Sequence, residues 1–369
     1  MATIGADPVI HIDVDDDRDS AAGDDNTSST ASVTSSILNY RFENGRTYHG
    51  YKDGKYYMPN DETENDRLDL QHNLFLLTFD NKLGLSPPNL PNFKTGRVLD
   101  LGTGTGIWAI DFADEHPEAE VIGVDLSPTQ PEFVPPNLQF EIDDIDEEWT
   151  YSLPFDYIHS RMMNVSVKNW PEYLRKIFEN LAPGGYAELQ DVDIMMQSDD
   201  NTLTQDHALW KWGFFLAKAG QEHGTPFIET NRLKDIMTEI GFVDVKETPF
   251  KWPSNHWPKE KRFKILGEWS NLNTVNLLNG LSMALFTRCL GWTPEEVNVF
   301  LVDVRKDLNN PKIHAYWSMY FLPPPFSSQC INTLLAVQFT EGSLKSSRQM
   351  RLRSLRPPLF FFNKLNSII

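Results

Sequence analysis

The chain has 369 residues, of which 40% are hydrophobic and 23% charged, and its net charge is −19. That length suits one elaborated domain or a domain with an attached cap, and the composition excludes a wholly disordered chain, a collagen-like fibre and a coiled coil. The acidic balance argues against a surface made for a nucleic-acid backbone or an anionic membrane, since each needs clustered Lys and Arg; neither partner is expected.

Residues 1–36 hold eight aspartates against Arg18 alone, with few side chains able to form a core, so a disordered acidic tail is expected there. Between Tyr40 and Asn60 lie Tyr48, Tyr51, Tyr56 and Tyr57 with interspersed glycines, a composition expected of an irregular aromatic segment packed on something else. Asp61 and Glu64 have capping-box spacing, and Leu68, Leu70, Leu74 and Leu77 then suit an amphipathic helix to about Lys82.

From Gly96 short apolar runs alternate with helical patterns. Strands are expected over 97–101, 120–125, 138–142, 155–160, 186–192 and 243–248, and helices over 107–115, 171–181 and 230–240. Repeated strand–helix units imply an α/β fold whose parallel sheet is covered on both faces. Residues 251–311 break that rhythm. Trp252, Trp257, Trp269 and Trp292 sit among helical patterns, and Thr293-Pro-Glu-Glu296 is a helix start with Pro at its first position. A helical insertion is expected there, ahead of a last strand over 314–321.

The most informative stretch is Val98-Leu-Asp-Leu-Gly-Thr-Gly-Thr-Gly106. A strand ends in a loop whose glycines let the backbone approach a ligand, and the following helix offers unpaired N–H groups. Nineteen residues after Gly106 a second strand ends in Asp125, placed to accept hydrogen bonds from a ribose diol. Dinucleotide sites space their glycines G-x-G-x-x-G, so that a pyrophosphate lies on the helix N-terminus. Here the spacing is G-x-G-x-G and Asp100 precedes the loop. A carboxylate there is awkward beside a pyrophosphate and suits a ligand with an ammonium group. S-adenosyl-L-methionine, a cationic amino acid joined to a nucleoside, is such a ligand.

Residues 97–192 resemble a class I S-adenosylmethionine-dependent methyltransferase. The resemblance rests on Val98–Gly106, Val121–Asp125, Phe140–Asp146, Phe155–Arg161 and the Pro-Gly-Gly turn within Leu181–Leu189. From Tyr40 to Tyr320 the chain is similar to the fungal LaeA-like methyltransferases, through Tyr40–Arg46, Tyr48-His49, Pro59–Glu62, Arg67–His72 and Leu99–Trp108. That family includes regulators of secondary metabolism. The resemblance implies a Rossmann-like, seven-stranded, mostly parallel sheet with helices on both faces, a helical N-terminal segment and a helical insertion before the last strand. It also implies site roles. Asp100 would hold the ammonium directly or through water; Gly102, Thr103, Gly104 and Gly106 would let the backbone pass the ligand. Asp125 would bind the ribose and Leu126 pack on the adenine. Asp143 or Asp144 would meet the adenine amino group, with Ile145 against the ring. His159, Ser160 and Arg161 end the fourth strand at the edge where ligands bind, Ser160 being a further cofactor contact.

The methyl donor is already activated, so positioning supplies much of the rate. A general base is needed only for an acceptor that stays protonated until attack. His159 and His207 are the candidates, against the plainer alternatives of a structural and a surface histidine. Trp210, Trp212, Phe214 and Phe215 either line an acceptor pocket or form the core of a cap helix. Tyr48, Tyr56 and Tyr57 either close over the cofactor or simply pack. No Cys or His spacing suggests a metal.

The leading function is methyl transfer to a small molecule or a protein, with a link to fungal secondary metabolism through the resemblance. The competing function is regulatory: the cofactor fold retained, the protein acting through partners. A nicotinamide dehydrogenase is the third, separated by whether NADH binds. Two cysteines, an Asp-rich start and the lack of a run of about 18 apolar residues suit an intracellular protein, cytoplasmic or nuclear. Residues 322–369 form a basic, unpatterned end that departs from the family; a gene-model error and a targeting tail are the two readings.

Overall fold

The computed structural model describes residues 37–322. The expectations for the acidic tail and for residues 323–369 lie outside that span.

The Tyr-rich segment is not irregular at its start. β1 (Arg41–Glu43) and β2 (Arg46–Tyr48) pair antiparallel. Asn44 and Gly45 join them at φ 50° and 80°, the two-residue turn whose twist matches a hairpin. Two ion pairs fix the hairpin: Glu43 accepts from Arg288, and Arg46 donates two hydrogen bonds to Asp61.

α1 (Glu62–Thr78) begins on Asp61, whose carboxylate accepts the Glu64 N–H at 3.1 Å. Only half of the expected capping box forms, because the Glu64 side chain turns to Arg67 instead. The helix stops short of Lys82 because Asp80 and Asn81 take φ of 56° and 62°, which ends helical hydrogen bonding.

The central sheet has seven strands: β3 (Arg97–Leu101), β4 (Glu120–Asp125), β5 (Leu138–Ile142), β6 (Phe155–Arg161), β7 (Leu181–Val192), β8 (Thr248–Pro253) and β9 (Tyr316–Leu322). Their order is β5-β4-β3-β6-β7-β9-β8, and only β9 runs antiparallel to its neighbours. The sixth strand lies later than the expected 243–248. Asp244 sits at φ 51° and breaks an extended run, while the alternation that buries Trp252 falls within 248–253.

Successive residues of β3 face opposite layers, as strand geometry requires. Val98 packs with Trp108 and Phe112 of α2 (Ile107–Glu115). Leu99 packs with Leu174 of α3 (Trp170–Asn180) and with Leu233 and Met237 of a helix at Asn231–Ile240. A third apolar cluster forms the cap. There α1 meets α4 (Ala208–His223), α5 being the Asn231–Ile240 helix just described, together with α6 (Lys261–Cys289) and α7 (Pro294–Leu308). α7 starts on a complete capping box between Thr293 and Glu296. The insertion therefore occupies the interval between β8 and β9, beginning about ten residues later than the sequence suggests.

Neighbours β4 and β6 leave the central β3 in opposite directions. Ligands of open α/β sheets bind in the crevice at such a switch point, beyond the carboxyl ends of the strands.

Candidate functional site

A cavity opens at that switch point. One half is made by the loops after β3, β4 and β5. The other is roofed by α6 and the N-terminal segment.

The loop after β3 is held from below and from the side. The Asp100 carboxylate accepts Thr103 Oγ1–H at 2.6 Å and His159 Nδ1–H at 2.7 Å. The Gly102 and Thr103 N–H groups donate to the Val124 carbonyl. Asp125 then accepts the Gly104 N–H at 2.8 Å on one oxygen and the Ser127 N–H at 3.0 Å on the other. Burial pushes the Asp125 carboxyl up to about 6, against the opposing effect of the Gly104, Ser127 and Leu126 N–H groups. The φ of Gly106 is 81°, and a Cβ there would strike the Phe140 ring. Gly106→Ala is expected to destabilise the protein by about 2–4 kcal/mol, from left-handed strain plus overpacking. Urea denaturation reads this directly; a loss under about 0.5 kcal/mol would contradict it.

Of the anticipated cofactor residues, Gly102, Gly104, Asp125, Leu126, Asp143, Asp144 and Ile145 come together on the cavity wall. Asp144 is engaged by Lys55 of the N-terminal segment, and Asp143 spends one oxygen on the Asp144 N–H. Asp100, Thr103, Gly106 and Ser160 are not on the wall. Asp100 is buried beneath the loop, Thr103 turns its hydroxyl inward to Asp100, and Ser160 Oγ is hydrogen-bonded to Tyr173 on the side of α3.

Neither histidine reaches the cavity. His159 is fully buried, bound to Asp100 and stacked on Trp108 with ring centroids 3.7 Å apart. His207 lies at the start of α4, where its Nδ1 accepts the Thr204 N–H. The aromatic residues of α4 do not line the cavity either. Trp212 is buried with its indole N–H on Ser282, Phe215 packs against Phe286 and Trp292, and Trp210 stacks on the exposed Phe214. Of the three tyrosines, only Tyr56 lines the cavity.

Several wall residues were missed by sequence reasoning. α6 contributes Asn273, Thr274, Leu277 and Leu281, and the sheet contributes Trp252 and Trp317. The insertion was anticipated; which of its faces meets the crevice was not, because that depends on how β8 and β9 close the sheet. Arg67 also lines the wall, and its place in the Arg67–His72 stretch was the available signal.

A kink shapes the wall after β6. Met162 takes φ 58°, costly for a residue with a Cβ. The Asp191 carboxylate compensates by accepting the Met163 and Asn164 N–H groups at 2.8 and 3.0 Å. Burial raises the Asp191 carboxyl from 3.8 to about 7. A carboxyl raised on folding binds its proton more tightly in the folded state, so its contribution to stability is present below pH 4 and declines as pH climbs through 7. Stability measured between pH 4 and 8 should therefore slope downward, and Asp191→Asn should flatten that slope; an unchanged slope would show that Asp191 titrates normally.

A switch-point cavity with a glycine loop after the central strand and acids after the next two defines a class I methyltransferase. Known proteins narrow the class. A family model described as a methyltransferase domain matches residues 70–247. The chain is 39% identical to methyltransferase pytC of Aspergillus terreus, across 84% of this chain and 94% of that protein. It is 41% identical to secondary metabolism regulator LAE1 of Cochliobolus heterostrophus, across 79% and 95%. It is 37% identical to protein-methionine methyltransferase laeA of Emericella nidulans, across 74% and 73%. This chain belongs to that family of LaeA- and pytC-like methyltransferases, and its cofactor is S-adenosyl-L-methionine. No helix among the described residues is long and apolar enough to cross a membrane.

Proposed function

We propose that residues 37–321 form one catalytic domain that moves a methyl group from S-adenosylmethionine to an uncharged nucleophile, and that this nucleophile is the thioether of a methionine in a protein. The cofactor-side wall fits the nucleoside: a desolvated carboxylate at Asp125 for the ribose hydroxyls, Leu126 and Ile145 for the adenine faces, and Asp143 for its amino group. Asp100, Thr103 and His159 act as positioning residues, fixing the loop from beneath. The cofactor supplies an activated methyl on a sulfonium.

One observation carries the acceptor. The other half of the cavity is walled by Met162, Ile194, Trp252, Leu277, Leu281 and Trp317, and the ionisable groups beside them are committed. Glu64 accepts two hydrogen bonds from Arg67, and burial raises the Tyr56 phenol well above its usual range. Among the described residues no free base faces this apolar half. A thioether has no proton to lose on methylation, so none is required. The methyl carbon leaves one sulfur for another, with no proton released. The Emericella nidulans relative, named a protein-methionine methyltransferase, agrees with this chemistry. The regulator names of other relatives support a link to fungal secondary metabolism.

The test is incubation of fungal extract with the protein and methyl-labelled S-adenosylmethionine, followed by peptide mapping. Label on methionine sulfur is expected. Label confined to lysine, arginine or a small-molecule oxygen would overturn the thioether assignment.

A further inference from the structure

Most buried polar groups of the cavity wall are already spent on the protein. Glu64 accepts from Arg67, the Trp252 indole N–H donates to Thr78, Thr274 donates to the Ser270 carbonyl, and Asp144 is engaged by Lys55. Gln71 and Trp317 differ. Both line the cavity, at 4% and 5% exposed, and neither side chain makes a hydrogen bond among the described residues. Asn273 is half spent. Its Oδ1 accepts Arg67 Nη1–H at 2.9 Å. A guanidinium only donates, so this contact fixes which way the amide points. The Asn273 Nδ2–H groups are left without a partner among the described residues.

These groups belong to the apolar half. Residues four apart on a helix share one stripe, and on α1 Gln71 stands between Arg67 and Phe75. Arg67 reaches across to Asn273 of α6, and Phe75 packs edge-on against Trp252 with ring centroids 5.0 Å apart. Gln71 therefore faces the space walled by Trp252, Leu277 and Trp317.

An apolar space that keeps one whole amide and two further donors open suits a plain hydrocarbon poorly, because buried polar groups need partners. The set fits a peptide. An extended residue points its own N–H and C=O the same way, as in the hydrogen-bonded pairs of an antiparallel ladder. A primary amide, with a donor beside an acceptor, matches those two groups. We propose that Gln71 pairs with the main-chain N–H and C=O of the acceptor methionine, and that Asn273 Nδ2–H and Trp317 Nε1–H serve neighbouring carbonyls. The proposal rests on the thioether reading above and names what holds that methionine: an extended segment recognised through its main chain, its side chain left to the apolar walls.

Two thioether probes test this with the full chain and methyl-labelled S-adenosylmethionine. N-acetylmethionine N-methylamide carries both main-chain groups; methyl propyl sulfide carries neither. The ratio of their kcat/KM values for labelled sulfonium is the readout. Wild type should favour the amide probe, and Gln71→Leu should lower the ratio by roughly 10- to 100-fold, the worth of two hydrogen bonds and the amide they satisfy. S-adenosylhomocysteine affinity, read by calorimetry, should stay within about twofold, which also shows that the variant is folded. Should Gln71→Leu fail to fold, the wild type decides: replacing the methionine N–H of the amide probe by an ester oxygen should slow it by roughly 3- to 10-fold. An unchanged ratio in the variant, or an ester probe as fast as the amide, overturns the proposal alone. So does a fall in S-adenosylhomocysteine affinity that matches the fall in rate, which would assign Gln71 to the cofactor. A wild type that binds S-adenosylhomocysteine and methylates neither probe overturns the thioether reading itself.

Discussion

An Asp125→Ala chain should bind S-adenosylhomocysteine about 100-fold more weakly than the wild type, or worse. Two effects combine. The carboxylate is the proposed acceptor for two ribose hydroxyls, and hydrogen bonds to a charged group are each worth about 1.5–3 kcal/mol. It also ties down the Gly104 and Ser127 N–H groups, so its removal loosens the loop that the ligand lies on. Asp125→Asn separates the effects, because it keeps one acceptor oxygen for the loop. Its loss of affinity should be smaller, with the melting temperature near that of the wild type. Below about pH 6 the wild type should lose affinity too, as Asp125 takes up a proton. A loss of less than threefold in Asp125→Ala would show that the ribose lies elsewhere.

Trp108→Ala is expected to cost about 3–5 kcal/mol of stability, the range for removing a large buried aromatic. Trp108 is 1% exposed, stacks on both Phe112 and His159, and donates its indole N–H to the Leu83 carbonyl. It is the second residue of α2, just after the glycine loop, so the cavity left behind undermines the floor of the site. Urea denaturation should show the loss, and cofactor affinity should fall with it. A cost near 1 kcal/mol would mean that the layer behind the loop repacks around the gap.

The strands from β3 to β7 were legible because their signals are local. Apart from β6, which runs on to Arg161, each ends at or just before Gly or an acid, and the glycine loop marks the end where the cavity opens. The hairpin was legible in principle through Asn44-Gly45 and was hidden by the surrounding aromatics. The capping boxes show where local pattern yields to packing. Thr293 and Glu296 form theirs at the surface, whereas Glu64, in the same kind of spacing, is drawn to a buried arginine 3 residues on.

At the site the motif located one wall of the cavity but not the depth of each side chain. In a strand of alternating faces, neighbours such as Ser160 and Arg161 go opposite ways, one to Tyr173 and one to the cavity. His159 looked available at a strand end and is instead a buried partner of Asp100. The apolar half was illegible because its walls come from α6, β8 and β9, brought together only by the closing of the sheet.

The most direct test of a methyltransferase site at this crevice is a crystal structure of the full chain with S-adenosylhomocysteine. The account predicts both ribose hydroxyls on Asp125, the adenine between Leu126 and Ile145, and the sulfur facing the apolar half beneath α6. A ligand bound away from Asp125, with the ribose making no contact with its carboxylate, would contradict it.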